Sequence, residues 1–261
     1  MRFVDLSLPL EDDRRFSPWW ARTKVGYQSH QFGQRAIRLL FGLPARYLQT
    51  GQGWANENLR LSTHGTTHVD APWHYGPTSG GKKARTIDEM PLDWFYGNGV
   101  VIDISALDAH AAADIATTEA ALRLANHTIS AGDIVLFRTG NDRLWGQRKY
   151  YAAGPGVSAE ATRWLIDQGV RLMGIDAWGF DAPLRHQARE AKTTGDRDVF
   201  WAAHYVGTQV EYCHMERLAN LDALPATGFT VCAFPLKVAG GSAGPARVVA
   251  MLNEQSSEST R

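Results

Sequence analysis

The sequence is poor in the features that define several large classes of protein. It has two cysteines, Cys213 and Cys232, in 261 residues. They have no CxxC spacing, so a disulfide framework is excluded and two thiols in a reducing cytoplasm are the expected setting. There is no excess of either charge: 27 Lys plus Arg stand against 27 Asp plus Glu, which removes bulk positive attraction as a means of holding nucleic acid or an anionic membrane. No apolar run approaches the ~20 residues of a membrane span. The opening MRFVDLSLPLEDD lacks the basic-then-apolar layout of a secretory signal. Repeats and low-complexity tracts are absent too, apart from a polar tail over 253–261 that reads as disordered. Aromatics are abundant, with nine Trp beside 10 Phe and 8 Tyr; they suit a large core or a pocket for a flat ligand.

The chain reads as one domain over 1–261 with seven strand candidates: Phe3–Leu8, Asn58–Thr63, Val100–Ser105, Asp133–Arg138, Arg171–Asp176, Phe229–Leu236 and Arg247–Met251. Each is short, rich in β-branched or aromatic residues and bounded by turn formers. The strongest helix signal is Ser158 before AEATRWLIDQ, with Glu160 in the first turn and Gly169 beyond the end. Thr118–Ala125 and Asp198–Tyr205 are further candidates. Strands interleaved with helices predict an α/β or α+β domain with a mixed central sheet. The stretches 11–55 and 185–197 read as irregular covering structure.

Chemistry concentrates in Ser62–Tyr75, STHGTTHVDAPWHY, which holds His64, His68, Asp70 and His74. Gly65, the β-branched residues and Pro72 oppose a helix. In an extended chain side chains two apart share a face, and all four positions are even, so the pleat is expected to aim all four inward. Two neutral imidazoles and a carboxylate suit Zn²⁺ or Mn²⁺, and three protein ligands leave a position open for water. Trp73, between Asp70 and His74, is a candidate pocket wall, and Trp20 is taken with it as a substrate contact. Gly240–Gly244 matches the GxSxG pattern around Ser242, but no His or Asp follows Ser242 and Pro245 interrupts the required helix, so it reads as a glycine-rich turn. Isolated GxG pairs imply no nucleotide cofactor.

HGTTHVDAPWH resembles the HxGTHxDxPxH signature of the cyclase superfamily, which includes bacterial kynurenine formamidases, isatin hydrolases and some polyketide-associated cyclases. Leu165–Trp178 is similar to that family's helix-then-strand segment, and His214–Met251 to its C-terminal segment, in which a Glu lies twelve residues after a histidine; here these are Glu216 and His204. One departure is Thr66 at the family glycine, with Gly65 beside it. The resemblance implies a swivelling β/β/α fold with a barrel-like core flanked by helices, and a homodimer. It implies one divalent metal, Zn or Mn, on His64, His68 and Asp70, and a second on Asp70, His204 and Glu216. The second would bind more weakly, having two protein ligands beyond the shared Asp70. His74 would move protons, a task suited to a pKa near 6.5, and Gly207 would ease the turn after His204. The implied activity is hydrolysis of the C–N bond of an aryl formamide, such as N-formylkynurenine, or of a cyclic aryl amide, such as isatin. Lactone hydrolysis, a non-hydrolytic cyclase or dehydratase, and a binding protein that keeps only the scaffold stay open as alternatives.

Overall fold

The computed structural model describes residues 1–253; the expected disordered tail lies, apart from Asn253, outside them. The chain divides into two compact units, 1–9 with 63–261 and 10–62. The larger carries a curled nine-stranded sheet. Three successive parallel pairings form its centre, Tyr96–Asp103 with Ile134–Arg138, that strand with Leu172–Ile175, and the latter with Cys213–Glu216. The helices Ile115–Leu124, Ala159–Asp167 and Leu184–Thr194 lie in the connections, as parallel neighbours require. Antiparallel strands extend both sides. Phe229–Cys232, Val249–Leu252 and Arg2–Asp5 follow in that order beyond Tyr96–Asp103, while His68–Asp70 and then Ala243–Pro245 follow beyond Cys213–Glu216. The sheet is therefore mixed, as the sequence predicts.

Strand alternation divides the core in two. Val100, Ile102, Val135, Phe137, Met173 and Ile175 pack with Ala161 and Leu165 of a helix. Val101, Ile134, Leu136, Leu172, Cys213, Met215 and Val69 pack together on the opposite face. His68 and Asp70 flank Val69, and His214 and Glu216 alternate with Cys213 and Met215, so the period of two turns all four polar side chains toward the helix-bearing face. All four are buried.

Local signals account for most elements. Ser158 caps its helix as predicted, its Oγ accepting from the Ala161 amide at 3.1 Å. Two stretches expected to be irregular are not. In the smaller unit His30–Phe41 is a helix, beside an antiparallel pair of Lys24–Gln28 and Asn56–Arg60. Gly33 weakens that helix by propensity, but a Cβ there would stand 2.0 Å from the Trp54 carbonyl oxygen, so close packing demands the glycine. Leu184–Thr194 buries only Gln187, and a helix polar almost all round leaves no hydrophobic period to detect. Among the described residues no helix is long and apolar enough to cross a membrane.

Asp176 closes the end of the parallel core. Its Oδ1 accepts from the Thr139 amide and hydroxyl, both at 2.6 Å, and its Oδ2 from the Gly140 amide at 2.8 Å. Burial pushes its carboxyl up to about 6 from 3.8, against the opposing effect of those donors. The folded state thus binds the proton more tightly, and this contribution to stability is complete below pH 3.8 and lost as pH rises through about 6. The displacement corresponds to roughly 3 kcal/mol. Urea unfolding between pH 4 and 7 should show this decline, and Asp176→Asn should flatten it; equal pH slopes in the two proteins would contradict the assignment.

Candidate metal centre

Six side chains singled out in the sequence come together in the larger unit, although not by the expected route. Of the four in the Ser62–Tyr75 motif, only His68 and Asp70 lie on a strand; His64 is in the preceding turn and His74 in a short helix, Pro72–Tyr75. Pro72 at the start of that helical turn ends the extended run, so chain reversals, and not one continuous pleat, bring His64 and His74 to the cluster. Across the sheet His214 is the register partner of Asp70, and Glu216 of His68. His204 comes from the helix Ala202–Val206.

The carboxylates of Asp70 and Glu216 are ringed by imidazoles. Asp70 Oδ1 lies 2.8 Å from His64 Nδ1 and 3.2 Å from His68 Nε2; its Oδ2 lies 3.1 Å from His214 Nε2 and 3.9 Å from His74 Nε2. Glu216 Oε1 lies 3.5 Å from both His204 Nε2 and His214 Nε2, while its Oε2 is 3.7 Å from His68 Nε2. Two donor groups suited to a cation result, Asp70–His204–His214–Glu216, all buried, and His64–Asp70–His74, whose histidines are partly exposed. Nε2 of His68, Nε2 of His214 and both oxygens of Asp70 are buried without a hydrogen-bond partner. Such atoms are costly unless something binds them, and their borderline nitrogen and oxygen chemistry fits a divalent cation such as Zn²⁺ or Mn²⁺.

Outer contacts fix the rings. His68 Nδ1 donates to the Thr66 carbonyl at 2.6 Å, and His204 Nδ1 donates to Asp181. Asp181 also accepts from the Ala203 amide at 2.9 Å, and Phe180 N–H donates to Glu216 Oε1 at 2.8 Å. His64 Nε2 stands 3.0 Å from Ser242 Oγ. Ser242, His64 and Asp70 thus stand in line like a serine nucleophile with its base, but Asp70 faces three further imidazoles and accepts a hydrogen bond from none of them. The serine also leads into a strand, Ala243–Pro245, where a nucleophile elbow needs a helix. Its place at Nε2 leaves His64 Nδ1 facing Asp70.

Electrostatics follow from this packing. Burial raises Asp70, but the imidazoles of His74, His68 and His64 outweigh it and hold the carboxyl well below its usual range. Burial likewise raises Glu216, and His204 and His214 bring it well below. His204 is pushed up to about 10 because Asp181 and Glu216 overcome its burial. His74 is pushed down to about 4 by burial, reinforced by His64 and His204, so it is neutral at pH 7.

The sequence does not mark His214, Asp181 or Trp201 as site residues, and it marks Ser242 only as part of a glycine-rich turn. The Trp201 ring stacks on His204, with centroids 4.4 Å apart at 20°, and meets His74 edge-on at 5.1 Å. Trp73 is exposed. Trp20 belongs to the smaller unit, in the single-turn helix Trp19–Ala21, where it meets Trp19 edge-on.

The fold and this cluster define an α/β protein with a buried imidazole and carboxylate centre that could hold a metal ion. Residues 4–182 match the family described as Putative cyclase, and the chain belongs to that family. It is 30% identical to the kynurenine formamidase of Salinibacter ruber over 74% of this chain and 77% of that protein. It is 27% identical to the isatin hydrolase of Roseibium aggregatum, covering 80% of this chain and 79% of the relative. The solved structure of isatin hydrolase A from Ralstonia solanacearum superposes with a TM-score of 0.75 at 26% identity, covering 97% of this chain and 92% of that one. By name the first of these relatives is a formamidase and the other two are hydrolases.

Gly207 has a different role from the one expected. Its φ of −65° is open to any residue, so the turn does not require glycine. A Cβ there would lie 2.0 Å from Cδ2 of Tyr75, whose hydroxyl is 3.2 Å from His214 Nδ1. Gly207→Ala should therefore destabilise the protein by about 1–3 kcal/mol through overpacking, read as a lower urea midpoint; an unchanged midpoint would show that Tyr75 moves aside freely.

Proposed function

We propose that the protein is a metal-dependent hydrolase that cleaves the C–N bond of an aryl formamide or a cyclic aryl amide, acting as a homodimer. The observation that carries this reading is the set of buried, unpartnered Nε2 and carboxylate atoms of His68, His214 and Asp70. The names of the relatives support the bond type. His64, His68 and Asp70 would hold one cation, and Asp70, His204 and Glu216 a second. When bound, such cations polarise a carbonyl and lower the pKa of water toward ~7.

The chain's own groups supply the rest. His74 is at the partly exposed rim, with a quarter of its side chain accessible, and is neutral at pH 7. In that form it takes a proton from the attacking water and returns it to the departing nitrogen, so the proton count closes within one turnover. Trp201, stacked on His204 and edge-on to His74, provides an aromatic wall for a flat substrate, with Trp73 as a further contact.

Removing metal with a chelator should abolish turnover of an aryl formamide or isatin, and Zn²⁺ or Mn²⁺ should restore it. Full activity in a verified metal-free preparation would end this reading. His74→Ala should lower kcat by about 10²- to 10⁴-fold with metal content unchanged, measured on the same sample. Parallel loss of metal would make His74 a ligand.

A further inference from the structure

The second cation position has one more donor than the resemblance assigns to it. His214 is fully buried, and its ring is held on all sides. Phe180 stacks on it at 4.6 Å and 9°, and Tyr75 lies tilted at 5.1 Å. Two hydroxyls meet its Nδ1, Tyr212 Oη at 3.1 Å and Tyr75 Oη at 3.2 Å. Tyr212 Oη also donates to the Ala203 carbonyl at 2.9 Å, and Tyr75 Oη lies 3.4 Å from the Asp70 carbonyl. These hydroxyls occupy Nδ1 and leave Nε2 as the nitrogen turned to the carboxylates. It lies 3.1 Å from Asp70 Oδ2 and 3.5 Å from Glu216 Oε1, with no hydrogen bond to either. Two carboxylate oxygens converging in a dry space repel one another unless positive charge lies among them, and an imidazole nitrogen at the same point can give its lone pair to a cation.

From this convergence we infer that His214 is a fourth protein ligand, through Nε2, of an inner divalent-cation site made with Asp70, His204 and Glu216. The inference rests on the metal-dependent reading above and assigns its two sites different duties. Two carboxylates, two neutral imidazoles and one dication sum to zero charge, which suits a site with no access to solvent. Four protein donors close it, as in structural zinc sites, whereas the other position, with the partly exposed His64 among its three donors and His74 at its rim, is left open. The two hydroxyls at His214 Nδ1 and Asp181 at His204 Nδ1 are the outer partners that orient ligating imidazoles. The inner ion is therefore the tightly held one, reversing the order expected when only two ligands besides Asp70 were counted. Uncompensated positive charge then falls at the outer, accessible position.

The test uses the full-length protein stripped by a chelator, titrated with Zn²⁺ by calorimetry and checked by equilibrium dialysis, without reference to turnover. The wild type should bind two equivalents with unequal affinity. His214→Gln should weaken the tighter event at least about 100-fold, a ligand being worth no less than its outer partners, and leave the looser one in place; His64→Gln should do the reverse. Circular dichroism establishes that each variant is folded. If His214→Gln does not fold, crystals of the wild type soaked in Zn²⁺ decide: anomalous density should lie about 2.0–2.1 Å from His214 Nε2. An unaltered tight event in a folded His214→Gln protein, or an inner zinc beyond bonding distance of His214, overturns the inference while leaving metal dependence standing. No zinc uptake by the wild type overturns both.

Discussion

Two carboxylates, Asp70 and Glu216, turned toward the same buried space are the constraint on which the centre depends. They lie on adjacent antiparallel strands, each flanked by side chains that the sheet drives into its other face, so neither can turn away without exposing Val69 or Met215. Leaving one ion of this size uncompensated in the interior costs several kcal/mol, and two of like sign cost more. The surroundings are arranged against that cost. Imidazoles approach Asp70 from four residues, and the Phe180 amide donates to Glu216. In the metal-free protein a proton on His204, whose pKa lies near 10, supplies part of the missing positive charge. A bound cation would displace that proton and meet the same need.

Order in the site comes from what stands behind each ring. His68, His204 and His214 all bond outward through Nδ1, to a carbonyl, a carboxylate and two hydroxyls respectively. Each therefore presents Nε2 inward. His64 is turned the other way, with Nε2 at Ser242 and Nδ1 at Asp70. The glycine-rich turn that failed as a nucleophile elbow thus acquires a duty as a positioning element. Accessibility rises from the buried His214 and His204 to His64 and His74, which separates a dry, charge-balanced end from one that substrate can reach.

How much of this was legible follows from particular residues. The parallel strands and the Ser158-capped helix carry local signals strong enough to read directly. The motif around Asp70 stands out by composition, but the period of two holds only for His68, Val69 and Asp70; it fails at the turn before and at Pro72 after. The same period marks His214, because His214-Met215-Glu216 repeats the polar-apolar-polar order of His68-Val69-Asp70, and the two triplets pair in register. Asp181 and Trp201 had no such signal, and nothing in their neighbours' spacing points to the site. Ser242 carried the pattern of a different chemistry, the nucleophile elbow, which gives no hint of a place beside His64.

The segment that brings three of the donors together is held at both ends in an unfavourable backbone conformation. Trp201, at the start of the His204 helix, and Arg217, directly after Glu216, have φ of 61° and 59°. Left-handed geometry costs a residue with a Cβ of order 1–2 kcal/mol, and such positions persist only where neighbours over-determine them. The neighbours are present: the Trp201 amide donates to the Gln187 side chain at 2.8 Å, and the Arg217 amide to the Ala177 carbonyl at 2.9 Å. The Arg217 guanidinium donates to the carbonyl of Gly65, between His64 and the His68 strand. The conformation that sends Glu216 into the cluster is thereby coupled to the loop that carries His64. The strain is consistent with selection for donor placement over local backbone preference, since a relaxed φ at Arg217 would redirect the chain just where Glu216 must meet His204, His214 and Asp70.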